Sequence, residues 1–101
     1  MDFSQGDILR IGTYKNLFLI VSSNAFIRAT GVFHVCPMLE SVPAGPLHIR
    51  IRGTAGTEGT AICEQLKLID PVIRRCARKD RIPYAQMMNI SDAIQGVFEY
   101  D

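Results

Sequence analysis

His48, Arg50 and Arg52 alternate with Ile49 and Ile51, and a strand with that pattern turns the isoleucines to the core and the other three side chains to one opposite face. Three potential cations in a row suit a phosphate backbone, because such contacts supply much of the affinity for a nucleic acid. An outer face kept charged for solubility gives the same pattern. A second basic run, Arg74, Arg75, Arg78, Lys79 and Arg81, can contact nucleic acid or simply be a solvated face. Glu64 sits among Ala61, Ile62, Cys63 and Leu66, where a buried carboxylate needs a partner such as arginine, so a structural ion pair is its default reading. His34 carries an imidazole suited to proton transfer near neutral pH. Its flanks, Phe33 and Val35, favour a structural histidine. The three cysteines, Cys36, Cys63 and Cys76, form no CxxC and pair with no histidine at metal-ligand spacing. They read as small hydrophobes of a reducing compartment, and neither a metal site nor a cofactor is expected.

The elements that position these groups are mostly short strands. Asp7 to Ile11 starts one, and Gly12 to Asn16 holds turn formers. Leu17 to Val21 is a continuous apolar run expected to be a central strand buried on both faces. Thr30 to Leu39 reads as strand, with Pro37 marking an end or an edge because proline cannot donate to a ladder. A loop over Glu40 to Pro46 leads to the alternating strand His48 to Arg52. Glycines at 53, 56 and 59 supply a turn, and Thr60 to Ile69 returns as one strand, completing a long hairpin. Asp70 then caps a single helical turn through Arg75, with Pro71 at its first position. A final helix starts near Pro83, with Tyr84, Met87, Met88, Ile94, Val97 and Phe98 as its buried stripe and Gln86, Asn89, Asp92 and Gln95 facing water. Many short strands and one helix favour a small SH3-like barrel or curled antiparallel sheet over a parallel α/β fold.

A chain of 101 residues, 48% of them hydrophobic, is the size of one domain with one core, spanning residues 1–101. The net charge is only +1, yet between His48 and Arg81 eight Lys/Arg residues face four Asp/Glu residues, so any electrostatic role is local. The longest apolar stretch, Leu17 to Val21, is far short of the roughly 20 residues of a membrane-spanning helix. Met1 to Asp7 is acidic and polar, unlike a secretion signal. A cytoplasmic protein with no membrane contact is expected.

Three motifs in order resemble the MazF/PemK family of bacterial toxins from type II toxin-antitoxin pairs, whose small-barrel fold is shared with the gyrase poison CcdB. Gly6-Asp7-Ile8 resembles the family's opening motif. The run Leu17-Phe18-Leu19-Ile20-Val21-Ser22-Ser23-Asn24 is similar to its second strand, and Gly59-Thr60-Ala61-Ile62-Cys63-Glu64-Gln65-Leu66-Lys67-Leu68-Ile69-Asp70 to its G-x-V-x-x-(E/D)-Q-x-R-x-I-D segment. The resemblance implies a homodimer, an antitoxin partner with an acidic disordered tail, and growth inhibition by metal-independent cutting of single-stranded RNA. That chemistry needs a base for the ribose 2′-hydroxyl, a cation for the phosphorane and an acid for the leaving oxygen.

By the same resemblance Lys15 takes the place of a family arginine, after a shortened loop. Lysine keeps the charge without the bidentate fork. The family threonine falls on Pro37, Met38 or Leu39, none of which has a hydroxyl, and Ser41 is the nearest substitute. The site implied is Lys15, Ser41 and Glu64 for catalysis, with His48, Arg50, Arg52 and Gln65 binding substrate; Arg74 to Arg81 are available to an acidic antitoxin tail. The two replaced positions keep a second reading open: a non-catalytic protein of the same fold that inhibits a target such as DNA gyrase, or an inactive member that binds antitoxin or nucleic acid. The residues Val97-Phe98-Glu99-Tyr100-Asp101 lack the Trp-Gly-Ile ending through which CcdB engages gyrase.

Overall fold

Where Leu17–Ile20 pairs with Asp7–Ile11, alternate residues go to opposite sides of the sheet. Ile8 and Leu19 enter one apolar cluster while Leu9, Phe18 and Ile20 enter another. Both faces of these strands are therefore buried, which is why β2 (Leu17–Ile20) has no polar positions beside β1 (Asp7–Ile11). A computed structural model describes residues 3–99; readings that involve Met1, Asp2, Tyr100 and Asp101 lie outside them. The remaining elements are α1 (Asn24–Thr30), β3 (Phe33–Leu39), β4 (His48–Arg52), β5 (Glu58–Ile62), β6 (Lys67–Ile69), β7 (Cys76–Arg81) and α2 (Tyr84–Val97). The strands form one seven-stranded curled antiparallel sheet in the order β4-β5-β3-β2-β1-β7, with β6 also pairing β3. No described helix is long and apolar enough to cross a membrane.

The expected strand Thr60 to Ile69 is broken in two. A turn at Cys63 to Leu66, closed by the Gln65 N–H on the Ile62 carbonyl at 3.1 Å, lets β5 pair with Met38 and Leu39 and β6 with Phe33 to Val35. Pro37 sits inside β3, not at its end. His34 directs its carbonyl to Val21 on the β2 side, so Pro37, three residues on, points its nitrogen the other way, into the gap between the β5 and β6 pairings. A missing donor costs nothing there.

Three elements differ from the sequence reading. α1 forms between the two expected strands, where no element was assigned, and takes in Thr30, the first residue of the second: the Ser23 side chain accepts the Phe26 N–H, and Gly31, at φ +74°, returns its N–H to Ile27. β7 is a strand made from the basic run. Only Asp80 on it is buried, so it carries no apolar alternation. In α2 the buried residues are Met87 and Ile90, with Ala93 and Ile94 packed alongside. Tyr84, Met88, Val97 and Phe98, expected inside, are exposed. The helix is rotated because Gln86 is drawn inward: its amide accepts the Arg52 N–H at 2.8 Å and donates to the Arg52 carbonyl at 3.1 Å.

Two buried aspartates tie β7 into the sheet. Asp80 accepts the N–H groups of Ala55 (2.9 Å), Thr57 (3.0 Å) and Arg81 (2.7 Å), and the Thr54 hydroxyl at 3.4 Å. It thereby clasps the β4–β5 turn to β7 where the sheet stays open. A Cβ on Gly53 would run into this carboxylate, so glycine is required by the close approach. Asp7, fully buried, accepts the Ser4 N–H at 2.9 Å and pairs with Arg81 at 2.9 Å and Arg78 at 3.6 Å. Because both arginines are half-exposed and can turn to water, Asp7→Asn is expected to cost about 2 kcal/mol rather than the full penalty of an orphaned buried charge. A lower urea midpoint with unchanged slope is the readout; an unchanged midpoint would make the ion pairs incidental.

Cys36 and Cys63 are fully buried and all three cysteines are free thiols. Burial pushes the Cys36 thiol far above its ordinary range and Cys63 up to about 11, which suits packing rather than reactivity.

Candidate functional site

Strand register brings Lys15 and Ser41 together. Leu17 pairs with Met38, so the turn before β2 lies beside the residues that follow β3; Leu39 pairs with Thr60, which sets Glu58 next to the same place. The result is a cleft of about 390 Å³ lined by Lys15, Asn16, Leu17, Met38, Leu39, Glu40, Ser41 and Glu58. The Arg10 guanidinium reaches the carbonyls of Tyr14 and Lys15, each at 3.5 Å, and supports the turn that presents Lys15. Across the hairpin Arg50 pairs with Glu58 at 3.4 Å and donates to the Glu40 carbonyl at 3.4 Å. Its charge therefore serves the cleft by holding Glu58. Arg52 pairs with Glu58 in strand register, and its backbone is held by Gln86.

Glu64 does not line this cleft. Its Oε2 lies 3.1 Å from His48 Nε2, and the two share a shallow groove with Gly45, Pro46 and Leu47. The His48 hydrogen bond, followed by one from the backbone, pulls the Glu64 carboxyl below its ordinary value. The partner expected to be arginine is thus histidine. Gln65 lines a third cleft, of about 290 Å³, with Tyr14, Asn16, Phe18, Pro37, Leu66 and Lys67. Asn16 belongs to both this cleft and that of Lys15.

His34 fits its structural reading: Ser22 Oγ lies 3.2 Å from Nδ1 and accepts the His34 backbone N–H at 2.7 Å, and the ring packs on Phe26. Of the basic run, Arg78 and Arg81 hold Asp7, while Arg74 stands beside Tyr14. Among the described residues no group of three or more His, Cys, Asp or Glu is placed to hold a metal ion.

Two residues of this surface had not been singled out from the sequence. Glu58 is drawn in by pairing across three strands, and its signal was the opposite charge of Arg50 eight positions earlier across a glycine turn. Tyr14 had read only as part of a turn; its phenol is lowered by the Lys67 charge and then by a hydrogen bond and charge from Arg74.

A cation, a hydroxyl, two acidic residues and an amide around one open cleft can bind a phosphodiester and move a proton beside it. A model of the family described as PemK-like, MazF-like toxin of type II toxin-antitoxin system matches residues 5–98. No curated protein sequence matches the chain significantly. Among solved structures, the chain is similar to one from the MazE–MazF crystal structure (Form-II) of Deinococcus radiodurans, with TM-score 0.81, 15% identity, and coverage of 99% of this chain and 100% of that one. It is equally similar to a chain of an endoribonuclease in complex with its cognate antitoxin from a mycobacterial species, with TM-score 0.81, 15% identity and the same coverage. An endoribonuclease from a mycobacterial species matches with TM-score 0.79 and 18% identity, over 95% of this chain and 90% of that one. These likenesses establish the shared fold, and the match over residues 5–98 establishes the family: the chain belongs to the PemK-like, MazF-like toxins of type II toxin-antitoxin systems.

Proposed function

We propose that this toxin acts by cutting single-stranded RNA without a metal cofactor, at the cleft of Lys15, Ser41 and Glu58. The observation that carries the reading is the convergence, enforced by strand register, of a lysine, a hydroxyl and a carboxylate on one open cleft. In the reaction the Glu58 carboxylate, held by Arg50, takes the ribose 2′-hydroxyl proton. The 2′-oxygen attacks the adjacent phosphorus, and Lys15 neutralises the charge growing on the phosphorane while Ser41 hydrogen-bonds a non-bridging oxygen. The bond to the 5′-oxygen breaks, that oxygen takes a proton from solvent, and a 2′,3′-cyclic phosphate remains. Glu58 thus takes the acid-base place that the sequence had given to Glu64, which is engaged by His48 in a separate groove. His48, Arg52 and Gln65 serve binding.

The structural neighbours include a MazE–MazF pair and an endoribonuclease with its cognate antitoxin. They support an antitoxin partner for this chain, with an acidic tail meeting the basic residues Arg74, Arg75 and Lys79. The exposed apolar residues of α2 and its C-cap, Tyr84, Met88 and Phe98, support pairing with a second copy. A cytoplasmic setting suits both the RNA target and the free thiols.

The test is incubation of purified protein with a long unstructured RNA in EDTA, with mapping of the ends. Discrete cuts ending in 2′,3′-cyclic phosphate are expected. Intact RNA would overturn the reading in favour of a protein target such as gyrase, whose supercoiling assay is then the next measurement.

A further inference from the structure

The cleft that adjoins the Lys15 site through Asn16 has no part in the chemistry above, yet it gathers unneutralised charge. Tyr14 is fixed edge-on against Phe18, with ring centroids 5.3 Å apart. Lys67 Nζ lies 5.4 Å from the Tyr14 ring centroid and the Arg74 guanidinium 6.0 Å from it. No ion pair to either cation occurs among the described residues, whereas Arg50, Arg78 and Arg81 each face a carboxylate. Two cations drawn around one phenol repel each other, and their field lowers that phenol, Lys67 contributing most. An oxyanion placed between them relieves the repulsion and gains charge-assisted hydrogen bonds. The rest of the lining fits what is attached to such an anion. Pro37 offers a flat apolar face, and the amides of Gln65 and Asn16 each carry donors and an acceptor for the edge of a base.

We propose that this cleft is the subsite for the nucleotide next to the scissile phosphate, its own phosphate held by Lys67, Arg74 and the Tyr14 hydroxyl and its base laid on Pro37 within reach of Gln65 and Asn16. The proposal rests on the RNA-cleavage reading and extends it, making the minimal substrate a strand that spans both clefts, with sequence preference set by Gln65 and Asn16.

A short single-stranded oligonucleotide with 2′-deoxy sugars cannot be cut by 2′-hydroxyl attack, so its affinity reports binding alone. Fluorescence anisotropy of this probe with the Lys67→Ala/Arg74→Ala double variant should show roughly tenfold weaker binding than wild type. The plot of log affinity against log salt should be shallower by about 0.7, from one phosphate of a single strand no longer neutralised. Tyr14→Phe, which keeps the ring against Phe18, should weaken binding by only a few-fold, and Gln65→Ala should relax the sequence preference of cleavage. Both cations are exposed, so unchanged thermal unfolding of the double variant is expected and is checked alongside.

Unchanged affinity and salt slope in the double variant would overturn the subsite while leaving RNA cleavage at Lys15 standing. Conversely, weakened binding in a protein whose wild type leaves RNA intact would overturn the cleavage reading and with it the place beside a scissile phosphate, leaving the cleft as a nucleotide-binding site alone. If the double variant loses binding of polyglutamate but not of the oligonucleotide, the cleft belongs to an acidic polypeptide and the nucleotide assignment fails.

Discussion

Lys15→Ala is expected to slow RNA cleavage by roughly 100- to 1000-fold without moving the unfolding midpoint. The magnitude is that of losing one preorganised group aimed at charge that develops in the transition state. It should fall mainly on the rate at saturating RNA, because the phosphorane carries more negative charge than the ground-state diester. Stability should not change, since Lys15 lies on a turn whose support comes from Arg10 through the backbone carbonyls of Tyr14 and Lys15. Lys15→Arg separates charge from shape: a guanidinium suits two phosphate oxygens at once, so this variant should keep most of the activity or exceed it. An alanine variant that cuts RNA at the wild-type rate, or remains fully toxic when expressed in bacteria, would remove Lys15 from the mechanism.

Asp80→Ala should be the most damaging single change to the fold, at about 3 kcal/mol. That is a large share of the roughly 5–15 kcal/mol by which domains of this kind are held folded. Burial works against the ionised Asp80, but the N–H groups of Ala55, Thr57 and Arg81 outweigh it and pull its pKa from 3.8 to about 2. That difference corresponds to about 2 kcal/mol. The alanine variant loses it and also leaves backbone donors of the β4–β5 turn without an acceptor. Because the folded value is the lower one, the stabilisation is fully present above about pH 4 and is lost as the pH falls towards about 2. Urea unfolding of the wild type should therefore weaken across that window, and Asp80→Asn should lack that part of the pH dependence. Equal acid sensitivity in wild type and Asp80→Asn would show that the clasp does not carry this stability.

How legible each part was in the sequence follows from what it buries. The run Leu17 to Val21 announced a strand covered on both faces because apolar residues occupy both parities. The alternation from His48 to Arg52 placed Ile51 correctly in the core. By contrast, α1 buries no residue completely, so no helical period could reveal it, and only the Ser23 cap and Gly31 marked its ends. β7 is held by Asp7 of β1, which pairs with its arginines, and by its own Asp80, which reaches the β4–β5 turn, an arrangement that leaves no local hydrophobic pattern. In α2 the competition between an apolar stripe and the Gln86 contact with β4 was settled by tertiary pairing, which spacing cannot foresee. The meeting of Lys15 and Ser41 was anticipated through the family resemblance. Glu58 entered through register across β3, β4 and β5, and Glu64 left the cleft because the turn after β5 carries it to His48.

The Gln86 contact also governs how the sheet can grow. β4 is a terminal strand of the sheet, and exposed backbone on such a strand templates aggregation. Leu47 turns its carbonyl inward to Cys63, so by alternation His48, Arg50 and Arg52 direct their backbone groups outward. His48 is already matched by Gly45, which exchanges hydrogen bonds with it at 2.9 and 3.2 Å, and Arg52 is matched by the Gln86 amide. Arg50 alone, bearing a charged side chain, interrupts this plugged margin. An incoming strand thus finds no continuous row of partners along β4, and the sheet is closed to lengthening from this margin.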